Sequence, residues 1–184
     1  MIQPIYLYGS EVLRKKAAPA DLGKKEELAT LIQDLKDTLT RADGCGLAAP
    51  QIGVSLRVVI VDGDVVADTY DYLKGFKRVI INPEILEESA EKTTYSEGCL
   101  SVPNIYCDVT RPAKITLRYY NEDLQEVTET LDKFACRMVQ HELSHLDGNL
   151  FTDNVPPIRK KMIAGKLQNI AKGKVHPHYN SKLK

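Results

Sequence analysis

The chain has 184 residues, a formal net charge of zero, 43% hydrophobic residues and 27% charged residues. This length and composition fit one domain with its own hydrophobic core. No stretch approaches the run of about eighteen apolar residues that a membrane span needs, and the first residues lack the features of a signal peptide. We therefore expect a cytoplasmic protein without a membrane partner.

Charge is distributed unevenly along the chain. Residues 156–184 contain eight Lys or Arg and no Asp or Glu, which leaves 17 basic against 25 acidic residues in 1–155, a net charge of −8 there. The composition therefore predicts an acidic body, 1–155, and a basic C-terminal helix and tail, 156–184, within the same domain. The basic part favours contact with an anionic partner such as RNA, and the alternative is a solvated terminal helix.

The first half of the chain predicts one helix followed by two strands. Across residues 24–41, leucine and isoleucine recur at helical spacing and form one apolar stripe. Residues 56–62 are a short β-branched run typical of a buried strand, and residues 63–77 are polar and predict a loop. Residues 78–85 predict another strand, which we expect Asn82-Pro83 to stop.

The second half predicts a hairpin and two further helices. Residues 114–120 alternate between apolar and polar side chains, a turn signal follows, and residues 125–131 return as the hairpin partner. Helices are predicted over residues 133–146 and 157–171, the latter followed by the tail HPHYNSKLK. This order predicts a single α+β domain in which mostly antiparallel β-sheets pack around a central helix.

The predicted central helix contains HELSH, a His-Glu-x-x-His core, with Asp132 as its expected N-cap and Gly148 just past its end. Residues four apart lie on one helix face, so His141 and His145 can bind one metal ion. Glu142 lies about 100° round the helix, where it can reach a water on that ion without binding the ion itself. The pattern predicts a metal-binding helix, and the alternative is a pair of buried core histidines.

A catalytic zinc or iron site usually has a third protein ligand. The candidates are a carboxylate, two cysteines (Cys45 and Cys99) and two tail histidines, His176 and His178. The tail histidines lie in a basic, proline-interrupted segment that suits a rigid site poorly. Cys99 follows Gly98 between flanks that resemble strands, and a thiolate is a good ligand for Zn²⁺ or Fe²⁺. The alternative for Cys99 is a buried free thiol.

Three segments together resemble the signature motifs of the peptide deformylase family. GCGLAAPQIG (44–53), EGCLS (97–101) and QHELSHLDG (140–148) occur in the family's order and approximate spacing, and the opening PIYLYGSEVLRKKA is also similar. The resemblance covers residues 3–155 and implies a catalytic domain over 1–155. It implies a metallohydrolase of protein biosynthesis that removes the N-formyl group from the initiator methionine of nascent polypeptides and releases formate.

The resemblance also implies how the site is divided among its residues. Three side chains would bind the metal: Cys99, His141 and His145. Ferrous iron is the implied metal, with zinc, nickel or cobalt able to substitute. Glu142 would act as the general base, while the Gln51 side chain and the Leu100 backbone N–H would stabilise the oxyanion. The implied partners are formyl-methionyl nascent peptides and, through the basic tail, the ribosome, and we expect a monomer.

An extended peptide substrate is expected to add as a strand along the glycine-rich backbone. The residues expected to contact it are Gly44, Cys45, Gly46, Gly98, Phe134 and Arg137, of which Cys45, Phe134 and Arg137 would line a methionine pocket. Two positions depart from the family's usual pattern. Ser144 stands where an acidic or other polar residue is usual, with Arg111 as the expected partner of that position, and Cys45 replaces a bulkier aliphatic residue.

Two other functions remain open from the sequence. A zincin-like metalloprotease would cleave internal peptide bonds and would keep its metal when Cys99 is replaced by alanine. An inactive relative of the family would bind formyl-methionyl N-termini without releasing formate. The second alternative is disfavoured because a protein that only binds N-termini does not require all five of these polar side chains: Gln51, Cys99, His141, Glu142 and His145.

Overall fold

Three helices and nine strands are distributed over residues 1–184, all of which the computed structural model describes. The helices are α1 (Lys25–Ala42), α2 (Lys133–Leu146) and α3 (Pro157–Ala171). The strands are β1 (Ile5–Tyr6), β2 (Gly46–Ala48), β3 (Val58–Asp62), β4 (Lys77–Glu88), β5 (Lys92–Cys99), β6 (Val102–Pro112), β7 (Lys114–Tyr120), β8 (Glu126–Asp132) and β9 (Ser181–Lys182). All three helices and the β7–β8 hairpin begin and end within one residue of their predicted bounds.

The strands form three separate sheets. One is a five-stranded antiparallel sheet in the order β2-β3-β4-β7-β8, one is the antiparallel β5–β6 hairpin, and one is the parallel pair β1–β9. Helix α2 packs against β2 and β3, and 11 of its 14 residues are buried. The predicted α+β fold, with mostly antiparallel sheets around a central helix, is therefore confirmed.

Strand β4 continues through Asn82-Pro83, so the predicted stop at this dipeptide is wrong. The register with β7 shifts between Ile81 and Glu84, which marks a β-bulge at the dipeptide. Asn82 has a φ of 51°, and its side-chain amide exchanges two hydrogen bonds, of 2.8 and 3.0 Å, with the backbone of Ala20. The turn-forming residues therefore bend the strand and attach it to the N-terminal segment without ending it.

The β5–β6 hairpin is longer than the strand character around Cys99 indicated. Strand β6 begins beside Pro103 and Asn104, two residues that favour turns, and Asn104 has a φ of 64°. Beyond them the strand alternates regularly, with Ile105 and Cys107 buried and the residue between them exposed. These two residues conceal the strand in the sequence. Cys99 lies at the end of β5, beside the turn at residues 100–101 that joins β5 to β6.

The basic C-terminal part packs onto the body of the protein. Ile163 and Ile170 of α3 are buried in the cluster that contains Leu7. Beyond the helix, the N–H groups of Ile5 and Leu7 donate to the carbonyls of Asn180 and Lys182, both at 2.9 Å. The tail thus ends in the parallel β1–β9 pair. None of the helices combines the length and the apolar character that crossing a membrane requires.

Candidate active site

Helix α2 and strand β5 bring three metal-ligating side chains together. His141 and His145 lie one turn apart on α2, and Cys99 is the last residue of β5. The Sγ of Cys99 lies 3.4 Å from Nε2 of His145, and one ligand atom of each residue lies within 4.8 Å of the other two. His145 is only 1% exposed, whereas Cys99 is half-buried.

The three side chains fit a tetrahedral metal ion. Metal–sulfur and metal–nitrogen distances of about 2.3 and 2.0 Å at a tetrahedral angle place the two donors about 3.5 Å apart. The separation of Cys99 Sγ and His145 Nε2, 3.4 Å, is close to this value. A thiolate and two imidazoles are also donors that suit zinc and ferrous iron. The geometry and the chemistry of the donors therefore agree with a bound transition metal.

Glu97 orients one of the histidines from the neighbouring strand. Its Oε1 lies 2.8 Å from Nδ1 of His141, which turns the Nε2 of that ring toward Cys99 and His145. Burial alone would raise the pKa of Glu97, but hydrogen bonds from His141 and Arg111 outweigh this and lower its pKa to about 2. Glu97 was not among the predicted site residues. The sequence feature that could have indicated its role is its position two residues before Cys99, because residues two apart in a strand lie on the same face.

Two predicted arginine contacts are wrong because both side chains bind Glu97. Arg137, expected to line the methionine pocket, is 2% exposed and donates to Glu97 at 3.0 Å and to the backbone carbonyl of Thr93 at 2.7 Å. Arg111, expected to pair with position 144, donates to both Glu97 oxygens at 2.9 and 3.0 Å. Ser144 instead donates to the His141 carbonyl of its own helix at 2.7 Å, so no ion pair forms there.

The carboxylate of Glu142 is buried beside the donor set without a full complement of partners. Its Oε1 lies 4.0 Å from Nε2 of His141, and its Oε2 has no hydrogen-bond partner. Burial raises the pKa of Glu142 to about 7 against the opposing effect of His141. Gly46 provides the space for this carboxylate, because a Cβ there would lie 2.6 Å from Oε1 of Glu142. The carboxylate is therefore poised to exchange a proton near neutral pH.

Gln51 and Leu100 present hydrogen-bond donors on the other side of Cys99. The Oε1 of Gln51 accepts from the backbone N–H of Ala48 at 2.8 Å, which fixes the orientation of the amide. Its Nε2 then points at Ser101 Oγ, 3.1 Å away, and at Cys99 Sγ, 3.5 Å away. The backbone N–H of Leu100 donates to no other group of the chain. The Gln51 amide therefore faces the Cys99 sulfur, and the Leu100 N–H, next to Cys99 in sequence, is available to another acceptor.

A cavity of about 490 Å³ is lined by the site residues Gln51, Cys99, Leu100, His141 and Glu142. Five of the six predicted substrate contacts line it: Gly44, Cys45, Gly46, Gly98 and Phe134. Burial raises the pKa of the Cys45 thiol to about 12, so this side chain is a neutral part of the wall. Phe134 stacks on Tyr70 with ring centroids 4.4 Å apart. The cavity wall therefore combines apolar groups such as Phe134 with the polar groups of Gln51, His141 and Glu142.

The cavity also has lining residues that the sequence analysis missed. Val65 and Val66 come from the predicted loop, where the chain forms a short 3₁₀ helix, Gly63–Val66. The tail contributes four residues, His176, Pro177, His178 and Tyr179. The cluster of histidines and tyrosine in HPHYNSKLK was the sequence signal for a contribution of the tail to the cavity. Its basic and proline-interrupted character indicated a poorly ordered segment instead.

A half-buried cysteine and two buried histidines that fit a metal, next to a free carboxylate and two hydrogen-bond donors, define a metal-dependent hydrolase. The family model described as polypeptide deformylase matches residues 2–161. A peptide deformylase from Christiangramia forsetii is 41% identical over 100% of this chain and 96% of its own length. A peptide deformylase from Flavobacterium psychrophilum is 42% identical over 100% of this chain and 97% of its own length. The chain belongs to the peptide deformylase family.

Solved structures agree with this assignment. A crystal structure of a peptide deformylase from Legionella pneumophila superposes with a TM-score of 0.81 at 37% identity, covering 95% of this chain and 98% of that chain. The peptide deformylase from Thermus thermophilus superposes with a TM-score of 0.82 at 33% identity, covering 94% of this chain and 99% of that chain. The assignment disfavours both a zincin-like protease and a protein that only binds.

Proposed function

We propose that the cavity beside the Cys99, His141 and His145 side chains binds the formyl-methionyl end of nascent polypeptides and hydrolyses its formyl amide. Water adds to the formyl carbon, the bond from that carbon to the methionine nitrogen breaks, and formate leaves while the peptide keeps a free amino group. The observation that carries this proposal is the unpartnered, buried carboxylate of Glu142 beside the three donor atoms.

Glu142 is proposed to transfer the proton in this reaction. Its carboxylate accepts a proton from the attacking water and delivers it to the departing amine, and a pKa of about 7 suits both transfers. When bound, the metal supplies a Lewis acid that lowers the pKa of water. The Gly46 backbone leaves the space in which the carboxylate lies beside the reacting atoms.

Gln51 and Leu100 are proposed to stabilise the negative charge that develops on the formyl oxygen. The Gln51 amide is held by Ala48 and is therefore oriented before the substrate binds. The Leu100 N–H lies next to the ligand Cys99 in sequence and donates to nothing else in the chain. Donors that are already oriented require little reorganisation during the reaction, which is why such groups lower the barrier.

Ferrous iron is the metal that we propose for this site, with zinc, nickel or cobalt able to take its place. The donor set of one thiolate and two imidazoles suits each of these ions. An iron site with a thiolate ligand is expected to be sensitive to oxygen. Metal analysis of protein purified without oxygen, compared with an aliquot exposed to air, tests both the identity of the ion and this sensitivity.

The substrate is proposed to bind as an added strand, with its methionine side chain against the apolar groups of the cavity wall. Gly44, Gly46 and Gly98 leave their backbone accessible at the cavity wall, and such backbone can pair with an extended peptide. Cys45 and Phe134 then contact the methionine side chain. Main-chain pairing does not depend on sequence, which suits an enzyme that must accept many different nascent chains.

The decisive experiment measures formate release from a formyl-methionyl tripeptide by protein purified without oxygen, with metal content determined on the same sample. Release of formate with an intact tripeptide backbone supports the proposal. Cleavage of an internal peptide bond would instead support a zincin-like protease. Binding of the tripeptide by a folded, iron-loaded sample that releases no formate would identify a protein that only binds, and would overturn the proposal.

A second proposal concerns the ribosome as a partner of α3. This helix exposes four basic side chains, Arg159, Lys160, Lys161 and Lys166. It also exposes two large apolar side chains, Ile158 and Met162. A basic surface of this kind favours RNA, and its binding should weaken as salt increases. Because Ile163 and Ile170 are part of the core, deletion of 156–184 would disturb the fold as well as the surface.

Charge reversal tests the ribosome contact more cleanly than deletion. The triple variant Arg159→Glu, Lys160→Glu, Lys161→Glu should lose co-sedimentation with ribosomes while formate release from a free tripeptide is unchanged. The matched control, Lys24→Glu with Lys25→Glu at the start of α1, should still co-sediment. Unchanged binding of the triple variant would refute the contact.

We also infer a cytoplasmic location and a monomeric state. Nascent chains are the proposed substrate and emerge in the cytoplasm, and every group assigned above comes from one chain. Sedimentation velocity at micromolar concentration tests the monomer, and a dimer at that concentration would contradict it.

A further inference from the structure

The C-terminal tail reaches the cavity and contacts the segment that follows Cys99. The β1–β9 pair holds the tail in place, with Ile5 opposite Ser181 and Tyr6 opposite Lys182. Two residues before β9, Tyr179 enters the cluster formed by α1, β2 and β3 and is 9% exposed. Its ring also forms part of the cavity wall. The tail is therefore both packed into the core and exposed to the substrate space.

The hydroxyl of Tyr179 donates to the backbone carbonyl of Leu100 at 2.5 Å. Burial raises the pKa of Tyr179, so the hydroxyl keeps its proton and remains a donor. The next residue is held as well, because the N–H of Tyr8 donates to the Ser101 carbonyl at 2.7 Å. The Ser101 hydroxyl accepts from Gln51 at 3.1 Å. Hydrogen bonds from Tyr179, Tyr8 and Gln51 therefore hold residues 100 and 101.

We propose that Tyr179 is a positioning residue for the reaction, because its hydroxyl holds the Leu100 carbonyl and so fixes the direction of the free Leu100 N–H. The carbonyl lies in the 100–101 peptide plane and the N–H lies in the 99–100 plane. The two planes meet at the Leu100 Cα, so a carbonyl held by Tyr179 limits the backbone rotations through which the N–H can change direction. A donor that moves by a fraction of an ångström contributes less to stabilising a developing charge. This proposal rests on the oxyanion role of Leu100 proposed above.

Tyr179→Phe tests the proposal because it removes only the hydroxyl. With a formyl-methionyl tripeptide, kcat should fall about tenfold and KM should change by less than about twofold, since an indirect effect is smaller than the loss of a donor itself. The matched control is Tyr119→Phe, which removes a buried hydroxyl that donates to Glu129 at 2.5 Å, outside the cavity. This control should keep the kcat of the unmodified protein.

A direct readout distinguishes positioning from stability. In ¹⁵N-labelled, zinc-loaded protein, the Leu100 amide should exchange with solvent faster in Tyr179→Phe than in the unmodified chain, while the amides of α2 exchange at unchanged rates. Faster exchange with the lower kcat supports the proposal. An unchanged kcat, or a lower kcat with equally faster exchange in α2, assigns Tyr179 to packing and overturns it.

Chemical rescue provides a second test that does not depend on the phenylalanine variant. Tyr179→Gly removes the ring and hydroxyl together, and added phenol should restore part of kcat where added toluene does not. Equal restoration by both would contradict the need for the hydroxyl. If the unmodified protein releases no formate, the proposed function fails first. If it does and Tyr179→Phe matches it, only the positioning proposal fails.

Discussion

The carboxylate of Glu97 on β5 lies 2.8 Å from Nδ1 of His141 on α2 and accepts hydrogen bonds from both Arg111 and Arg137. The strand that carries the ligand Cys99 thus also orients a ligand on the helix. One buried acid connects two secondary-structure elements, two cations and the metal site, so its loss should affect stability and metal affinity together.

Glu97→Gln should lower metal affinity about 10- to 100-fold, because His141 loses the partner that sets its orientation. It should also lower the free energy of unfolding by about 3 to 5 kcal/mol, since Arg137 is left buried without a counter-charge. Zinc titration and urea unfolding measure the two effects. Glu84→Gln, which breaks an exposed ion pair with Arg118, is the control and should alter neither quantity appreciably.

Glu142→Gln should reduce kcat about 100- to 10,000-fold, because the amide cannot carry a proton between water and the leaving amine. Its metal content should stay at the level of the unmodified protein, since Glu142 contributes no atom to the ligand set. Formate release and metal analysis on one preparation measure both properties. An active variant with full metal content would remove Glu142 from the reaction.

Cys99→Ala should lose most of its metal during purification, because only the two imidazoles of His141 and His145 remain. Metal analysis after gel filtration measures this loss. The control is Cys107→Ala, which removes a thiol buried in the β5–β6 hairpin without touching the donor set. Retention of metal by Cys99→Ala would show that the third ligand lies elsewhere.

Gly46→Ala should reduce kcat by about 100-fold while the protein stays folded, because displacing a reacting group by about an ångström has an effect of that size. The added Cβ would lie 2.6 Å from Oε1 of Glu142 and 2.9 Å from its Cγ, so the carboxylate must move. Gly165→Ala on α3, where a Cβ meets nothing within 4 Å, is the matched control. Equal kcat values for the two variants would contradict the tight contact.

The three helices, including the one with the two histidines, and the strands β3, β4, β7 and β8 could be predicted from the sequence because their signals are local. The apolar stripe of α1 and the four-residue spacing of His141 and His145 each lie within one element. Pairing with Cys99 required the motifs on two elements to be considered together, since no periodicity places β5 beside α2. The family resemblance supplied this long-range relation.

The errors share a physical cause. The family resemblance suggested Arg137 as a residue of the methionine pocket, but the unforeseen charge of Glu97 binds this side chain inside the protein. Arg111 is bound by the same carboxylate. Asn82-Pro83 resembles a strand end because the hydrogen bonds of Asn82 with Ala20 cannot be inferred from local sequence. In each case a partner distant in sequence decides the outcome.

The β1–β9 pair has a consequence for how the enzyme matures. It joins Ile5 to Ser181, so almost the whole length of the chain must close into a loop before these strands can meet. Contacts of such long range form late in folding. Strand β9 also leaves the ribosome after every other element of the fold. A newly synthesised molecule therefore acquires the tail wall of its cavity only after every element from β1 to α3 has been synthesised.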